Sequence, residues 1–260
     1  MAKIKVAGIQ SDIGKDPKEN LRRNLEMIDS ASEDGASFIC LPELFMTGFD
    51  YDYIKANSRG IPNKITEVLG EKAKKSGIYI LSGSIPEMVG EDIYNTAVLF
   101  GRDGKIIGKY SKIHLFGQMG EKSNFTHGGD VRVFDTDFGR IGVTICYDLR
   151  FPELFRKQSV MGAKIIFVPS EFPDPKLDHW RTLLKARAIE NQIYVMGVNR
   201  VGKDEQSTFF GHSMVIGPRG TIMTEASDGE EIISAEIDIG KVGEVRERTF
   251  YLGDRRCELY

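Results

Sequence analysis

The sequence is poor in cysteine and has no long apolar run. Only 3 of its 260 residues are cysteines, Cys40, Cys146 and Cys257. This odd number, without a C-x-x-C spacing, argues against a disulfide framework and suits a reducing compartment. The apolar run near the N-terminus is too short for a signal peptide or a membrane span. We therefore expect a cytoplasmic protein in which a functional cysteine acts through the reactivity of its thiol and not through a disulfide.

An excess of basic residues is also missing. The chain has 35 Lys and Arg against 38 Asp and Glu, with the two signs interspersed. This balance leaves no polybasic face for nucleic acid or anionic lipid, so small molecules are the expected partners. The four histidines, His114, His127, His179 and His212, lack the close spacing of a metal site. We interpret them as hydrogen-bonding or packing residues and expect neither a metal nor another cofactor.

Short apolar runs alternate with longer amphipathic segments along the whole chain. KIKVAGIQ, ASFICLPE and KIIFVPS are typical of buried strands, whereas NLRRNLEMIDSASEDG and HWRTLLKARAIENQ have helical periodicity. The order β-α-β-α-β-β occurs twice. It predicts an α/β fold, a four-layer α-β-β-α sandwich of two mixed β-sheets with outer helices. A chain with 41% hydrophobic residues can bury one large core, so we expect one domain over residues 1–260.

Two local patterns refine the first half. IYILSGSIPE reads as one continuous strand. The segment RDGK, between IYNTAVLFG and KIIGKYSKIHL, contains an Asp-Gly pair that indicates a tight hairpin.

Three reactive side chains lie at or near the ends of predicted strands. Cys146 follows RIGVTI at a strand-to-helix turn, Glu43 follows FICLP, and Lys112 lies in KYSKIHLF. A carboxylate can take a thiol proton and later activate water, while an ammonium group and the backbone N–H of Tyr147 can hold an oxyanion. Together they predict a thiol hydrolase. Each residue has an alternative interpretation when it is considered alone. Cys146 could be a buried structural cysteine, Glu43 a loop cap or salt-bridge partner, and Lys112 a solvated residue of an edge strand.

Four ordered blocks, LPELFMTGF, KIHLF, EKSNFTHGG and ICYDLRFPELFR, resemble the signature blocks of the nitrilase superfamily of carbon-nitrogen hydrolases. The resemblance continues to the C-terminus and spans essentially the whole chain. It implies a catalytic triad on Glu43, Lys112 and Cys146, with a second glutamate on Glu121. It also implies homodimers in which a C-terminal tail, residues 247–260, crosses the dimer interface.

The block CYDLRFPE narrows the reaction that the resemblance implies. It resembles the omega-amidases, which act on monoamides of 2-oxo dicarboxylic acids such as 2-oxoglutaramate, and also the deaminated-glutathione amidases. True nitrilases usually carry Trp and Glu after the cysteine, where this chain has Tyr147 and Asp148. Aliphatic amidases and N-carbamoyl hydrolases usually differ in this block and rank lower. The resemblance thus implies hydrolysis of a small carboxylate-bearing amide to acid and ammonia through a cysteine thioester.

Arg150 is the candidate anchor for the substrate carboxylate. It lies four residues after Cys146, and a guanidinium fork matches a carboxylate with two parallel hydrogen bonds. The alternative is a structural salt bridge with Asp148, Glu153 or Glu171.

The mouth of the site is expected to include residues from the next predicted strand end. Ser170, Glu171 and Phe172 follow the strand KIIFV and are expected to bind substrate together with Tyr147. The loop PSEFPDPKLDHW departs from the longer Gly- and Thr-containing loop of many omega-amidases. This departure leaves the identity of the amide open.

Two other classes of protein compete with the amidase interpretation. A non-catalytic binding protein on the same fold is expected to have lost at least one of Glu43, Lys112 and Cys146, and all three are present. A papain-like Cys-His hydrolase needs a histidine with a recognisable neighbouring signature, and none of the four has one.

Overall fold

The apolar runs of the sequence form fifteen strands within residues 3–259, the part of the chain that this computed structural model describes. The strands are β1 (Lys3–Gln10), β2 (Phe38–Cys40), β3 (Tyr79–Leu81), β4 (Ile85–Val89), β5 (Asp92–Phe100), β6 (Ile106–Ser111), β7 (Val133–Thr136), β8 (Gly139–Val143), β9 (Ile165–Ser170), β10 (Tyr194–Asn199), β11 (Val201–Lys203), β12 (Thr208–Phe210), β13 (Met214–Ile216), β14 (Ile222–Glu225) and β15 (Glu231–Asp238).

Seven α-helices and two 3-10 turns connect these strands in the described part of the chain. The helices are α1 (Pro17–Glu33), α2 (Tyr51–Asn57), α3 (Lys64–Ser76), α4 (Glu121–Asn124), α5 (Pro152–Val160), α6 (Leu177–Asn191) and α7 (Gly240–Arg248), and the 3-10 turns are Gly117–Met119 and Cys146–Arg150. None of these helices has the length and apolar character that crossing a bilayer requires.

Local sequence signals fix where the longer helices begin and end. Asp16 caps α1 by accepting a hydrogen bond from Lys18 N, with proline at the first helical turn. Asn63 begins α3 through a reciprocal capping box with Thr66. Gly77 ends α3 in the left-handed conformation that a C-terminal cap needs, at φ +65°.

Two mixed sheets share one plan, in which parallel strands are flanked by antiparallel ones. In the first sheet β15 pairs antiparallel with β1, and β1, β2 and β3 run parallel. β3 and β4 pair with successive parts of β5, whose other edge pairs with β6. The second sheet has the order β14-β13-β10-β9-β8-β7, with β8, β9 and β10 parallel. β11 and β12 form a separate hairpin.

The two sheets pack face to face across an apolar seam. Phe38 of the first sheet stacks on Phe167 of the second, with ring centroids 4.2 Å apart. Opposite β10, Gly8 has no room for a side chain, because a Cβ there would lie 2.7 Å from Met196 Cε and 2.9 Å from Val198 Cγ2. The seam is therefore the centre of the hydrophobic core.

Helices cover the outer faces of both sheets. Buried residues of α1 and α3, including Ile28 and Leu69, pack on the outer face of the first sheet. On the second sheet, Trp180 and Leu184 of α6 lie so close to Gly197 that a Cβ there would be 2.6 Å from each side chain. The predicted four-layer α-β-β-α order is confirmed.

Some predicted boundaries change in the structure. The RDGK hairpin forms between β5 and β6, as predicted. The predicted strand IYILSGSIPE is two strands, β3 and β4, separated at Gly83. β6 ends at Ser111, so Lys112 lies just beyond the strand. β15 and α7 fill a region, residues 231–248, to which the sequence patterns assigned no element.

The break at Gly83 makes room for the loop that follows β2. Gly83 has φ +68°, and a Cβ there would lie 1.9 Å from Pro42 O. The flanking hydroxyls hold the chain on both sides, because Ser84 Oγ accepts from Leu44 N at 2.9 Å and Ser82 Oγ accepts from Val98 N at 2.9 Å. Glu43 lies between Pro42 and Leu44, so this contact fixes the course of its backbone.

Replacing Gly83 with alanine tests this contact. Gly77 is the matched control, because its φ is +65° and nothing lies within 4 Å of its Cβ position. We expect Gly77→Ala to lower the free energy of unfolding by about 1 kcal/mol, the cost of a left-handed alanine. Gly83→Ala must also displace Pro42 O and should cost roughly 2 to 4 kcal/mol. Equal losses in urea unfolding would show that the loop adapts freely.

Candidate active site

Side chains from both sheets meet where the strands end. Glu43 follows β2 and Lys112 follows β6 of the first sheet, while Cys146 follows β8 of the second. Glu121 is the first residue of α4. All four predicted catalytic residues are buried, and their electrostatic interactions place them in one cluster.

Lys112 forms the centre of the cluster. Its Nζ lies 2.7 Å from Glu43 Oε1 and 2.8 and 2.7 Å from the two carboxylate oxygens of Glu121. Burial alone lowers the pKa of Lys112, but the charges of Glu121 and Glu43 outweigh it and raise that pKa well above its usual value. The ammonium group therefore stays charged. Burial, partly opposed by Lys112, raises the pKa of Glu121.

Other donors complete the coordination of the two carboxylates. Asn95 Nδ2 donates to Glu43 Oε1 at 2.8 Å and to Glu121 Oε1 at 3.2 Å. The backbone N–H of Glu171 donates to Glu43 Oε2 at 3.0 Å, and that of Phe116 donates to Glu121 Oε2 at 2.6 Å. Sequence reasoning missed Asn95. Its signal is a polar amide inside the apolar strand IYNTAVLFG, where a buried side chain needs a partner.

Cys146 begins the 3-10 turn in a strained backbone conformation. Its φ is +48°, in the left-handed region that few residues other than glycine adopt. Burial and the charge of Glu43, partly opposed by Lys112, raise the pKa of the Cys146 thiol well above its usual value. The raised pKa favours a neutral thiol, and the carboxylate of Glu43 is close enough to act on it electrostatically. That carboxylate is placed to take its proton.

Asp148, buried within the same turn, connects the two sides of the site. Its Oδ2 accepts from Ile145 N at 2.9 Å and from the hydroxyl of Tyr110 at 2.7 Å. Its Oδ1 accepts from the backbone N–H of His114 at 2.9 Å and lies 2.8 Å from His114 Nδ1. The carboxylate thereby ties the Cys146 turn to the segment that follows Lys112. The sequence patterns did not predict this role.

Arg150 lies among aromatic rings. Its Cζ is 6.0 Å from the ring centroid of Tyr147 and 5.3 Å from that of Phe172, and its Nη2 is 3.4 Å from His179 Nδ1. Within residues 3–259, no carboxylate oxygen lies within 4.0 Å of its guanidinium nitrogens. The salt bridges with Asp148, Glu153 or Glu171 that the sequence left open do not form.

Two of the predicted substrate-binding residues have other contacts. Ser170 is buried, and its hydroxyl donates to Val168 O at 3.2 Å. The Glu171 carboxylate accepts from Arg200 Nη1 at 2.8 Å, so its backbone N–H rather than its side chain reaches the cluster. Burial, partly opposed by Arg200, raises the pKa of Glu171 to about 8. Phe172 and Tyr147 lie against Arg150.

The histidines take part in hydrogen bonds and ring contacts. His114 stacks on Phe151, with ring centroids 3.6 Å apart, and His212 Nδ1 lies 3.0 Å from Glu225 Oε1. Among the described residues, no group of three or more His, Cys, Asp or Glu side chains is arranged to hold a metal ion.

Comparison with known proteins agrees with the resemblance found in the sequence. The family model for carbon-nitrogen hydrolases matches residues 5–247. The chain belongs to the carbon-nitrogen hydrolase family. It is 38% identical over 257 residues to the 2-oxoglutaramate amidase of Bacillus subtilis (strain 168), an alignment that covers 98% of each chain. The predicted membership of the nitrilase superfamily is confirmed.

Solved structures of this family share the fold. Nit3 of Saccharomyces cerevisiae, a member of branch 10 of the nitrilase superfamily, is 35% identical with a TM-score of 0.90, covering 98% of this chain and 97% of Nit3. A mutant amidase from Nesterenkonia sp. AN1 is 28% identical with a TM-score of 0.86, covering 98% of this chain and 95% of its own. In that mutant the acetamide moiety of fluoroacetamide is covalently added at the active-site cysteine.

Proposed function

We propose that this carbon-nitrogen hydrolase is an amidase that converts a 2-oxo dicarboxylic acid monoamide to the free acid and ammonia, with Cys146 as nucleophile. The observation that carries the proposal is the buried cluster in which Cys146 interacts with Glu43, whose Oε1 lies 2.7 Å from Lys112 Nζ. The name of the Bacillus subtilis relative supports the substrate class. The covalent adduct on the cysteine of the Nesterenkonia amidase supports the nucleophile.

The first half of the reaction forms a thioester. Glu43 accepts the thiol proton as Cys146 Sγ attacks the amide carbonyl carbon. The carbonyl oxygen becomes an oxyanion, which Lys112 Nζ and the backbone N–H of Tyr147 stabilise. The first backbone hydrogen bond of the 3-10 turn is made by Asp148 N, which donates to Ile145 O at 3.0 Å. Tyr147 N comes one residue earlier, at the start of the turn, where backbone N–H groups are left for other acceptors. Collapse of the intermediate breaks the C–N bond, and the proton on Glu43 passes to the departing ammonia.

The second half hydrolyses the thioester. Glu43 is a carboxylate again and takes a proton from water, whose oxygen attacks the thioester carbonyl. The same two donors hold the second oxyanion. Cleavage of the C–S bond releases the acid, and the proton on Glu43 returns to Sγ. Glu121 acts through Lys112, which it holds in place with two hydrogen bonds.

Substitution of the nucleophile tests the reaction. We expect Cys146→Ala to lower ammonia release by roughly a thousandfold or more while leaving the fold intact. Cys146→Ser should be nearly as inactive, because a carboxylate is a weak base for a hydroxyl. The assay should screen 2-oxoglutaramate, 2-oxosuccinamate, deaminated glutathione, glutamine and simple nitriles, which separates this proposal from the other amidase classes. Cys40→Ala is the control, and substantial activity in Cys146→Ala would exclude the assignment.

Arg150 supplies the substrate selectivity in this proposal. It is half-buried beside Tyr147 and Phe172 and has no carboxylate partner of its own among the described residues. A partly desolvated guanidinium group that lacks a counter-ion is a binding site for an anionic group. The substrate carboxylate on Arg150 would direct the amide carbonyl to Cys146, four residues earlier.

Arg150→Lys tests the anchor. A point charge replaces a two-pronged contact, so kcat/KM for the 2-oxo acid amide should fall about 10- to 100-fold, the equivalent of roughly 1.5 to 3 kcal/mol. The loss should appear mainly in KM, and hydrolysis of an uncharged amide should change little. Arg132→Lys, which alters a surface pair with Asp130, is the control. Equal losses for charged and uncharged amides would mean that Arg150 is structural.

The C-terminal tail, residues 247–260, belongs to a dimer interface in this proposal. Phe250, Tyr251 and Leu259 are exposed to 64%, 52% and 67% within the single chain. Tyr260 lies outside the described residues. The start of the tail is held by Gln192 Nε2, which donates to Thr249 O at 2.8 Å. A second copy of the chain is the partner that would cover these rings.

Light scattering at micromolar concentration measures the assembly. We expect a dimer mass for the full chain and a monomer mass after deletion of residues 250–260, because the deletion removes the exposed aromatic pair and Leu259. Val89→Asp, at another exposed apolar position, should leave the dimer intact. A full chain with a monomer mass would exclude the interface.

A cytoplasmic location completes the proposal. Cys40, Cys146 and Cys257 are all free thiols, and a thiol nucleophile works in a reducing compartment.

A further inference from the structure

The two oxygens of the Glu43 carboxylate are held by different kinds of group. Oε1 accepts from the side chains of Lys112 and Asn95, whereas Oε2 accepts from the backbone N–H of Glu171. A backbone donor can aim at a carboxylate only if its own peptide segment is fixed. The Glu171 donor therefore depends on the contacts that fix residues 170–172, at the end of β9.

Asn199, the last residue of β10, holds Phe172 by both backbone groups. Its Oδ1 accepts from Phe172 N at 2.7 Å, and its Nδ2 donates to Phe172 O at 3.1 Å. The same Nδ2 donates to Gly211 O at 3.0 Å. Asn199 is completely buried, so these contacts are not exchanged for bonds to water.

Arg200 holds the other two residues of the segment. Its backbone N donates to Ser170 O at 3.2 Å, and its Nη1 donates to Glu171 Oε2 at 2.8 Å. Arg200 is itself immobilised, since Nη2 donates to Ile13 O at 2.9 Å and Cζ lies 4.1 Å from the ring centroid of Phe209. Its exposed fraction is only 1%.

Burying an arginine this deeply is costly unless its charge is balanced. The carboxyl group of Glu171 lies 2.8 Å from Arg200 Nη1, and the carboxylates of Asp12 and Asp204 lie farther off, at 3.7 and 3.9 Å. Within residues 3–259, no donor is within hydrogen-bond reach of the buried Glu171 Oε1, which is unfavourable for stability. The contact between Arg200 and Glu171 does fix the Glu171 peptide, whose N–H donates to Glu43.

We propose that Asn199 and Arg200 are positioning residues for the general base, holding residues 170–172 so that the N–H of Glu171 keeps the carboxylate of Glu43 aimed at Cys146. This inference rests on the proposed function, because it assigns the residues a role in the same proton transfer. Neither side chain touches the reacting atoms. Both act through the Glu171 peptide.

The proposal makes a prediction about pH. A carboxylate that loses an N–H donor takes up its proton at higher pH. The charged and titratable groups that act on Glu43 are Lys112, Glu121, Cys146, Glu171 and Tyr51, and Asp204 acts on Glu171. Because these groups titrate together, the acid limb of kcat/KM belongs to the cluster rather than to one residue.

Asn199→Ala is the decisive variant, because it removes both hydrogen bonds to the Phe172 backbone without changing the charge of the protein. We expect kcat to fall about 10- to 100-fold, as for a lost hydrogen bond to a charged group. The acid limb of kcat/KM should move to higher pH. Arg200→Lys keeps the cation but loses the fork and should give a smaller change in the same direction. Tyr194→Phe is the control, because it deletes one buried hydrogen bond, to Asp238 O, at the opposite end of β10.

Alkylation of Cys146 by iodoacetamide, followed against pH by mass spectrometry without substrate, separates this inference from the proposed function. A displaced alkylation profile in folded Asn199→Ala or Arg200→Lys, with Tyr194→Phe like the parent, supports the positioning role even if no amide in the screen is hydrolysed. Parent-like kcat and alkylation profiles in both variants would overturn it. If Asn199→Ala fails to fold, Arg200→Lys decides by the same two profiles.

Discussion

The ammonium group of Lys112, buried between two carboxylates, is the constraint on which the rest of the site depends. Three charges removed from water are costly unless each is paired and hydrogen-bonded. Lys112 contacts both carboxylates, and Asn95 together with the backbone N–H groups of Phe116 and Glu171 supplies the remaining donors. These donors come from separate parts of the chain. The need to satisfy one buried cluster therefore dictates where β5, the segment after β6 and the end of β9 must lie.

In the proposed mechanism, the same cluster allows a thiol with a raised pKa to act as the nucleophile. Two carboxylates and one ammonium already leave the site with an excess negative charge, so a resting thiolate would be unfavourable. Transfer of the proton from Cys146 to Glu43 moves that charge within the cluster and adds none. The left-handed backbone at Cys146 and the Asp148 contacts hold the thiol in place while this happens.

The order of apolar and amphipathic segments was enough to predict the four-layer fold. The residue types at strand ends, together with the family resemblance, singled out Glu43, Lys112 and Cys146, which the structure brings together. The long-range contacts of Asp148, Asn199 and Arg200 could not be found in this way, because those partners lie far away in sequence, whereas Asn95 carries a local signal as a polar amide inside an apolar strand. β15 escaped prediction for a different reason. Its buried isoleucines, Ile233 and Ile237, are four residues apart, a spacing as typical of a helix as of a strand. Pairing with β1 decides between them.

The seam between the sheets has a consequence for how the protein loses activity. Glu43 and Lys112 follow strands of the first sheet, and Cys146 and the Glu171 amide follow strands of the second, so neither sheet alone contains the proposed active site. Hydrolysis is thus a collective property of the joined layers, which meet where Phe38 stacks on Phe167 and Gly8 admits Met196. A shift of one sheet relative to the other would leave both sheets folded but move Glu43 away from Cys146. The catalytic rate is therefore a more sensitive measure of how the two sheets pack together than the secondary structure content is.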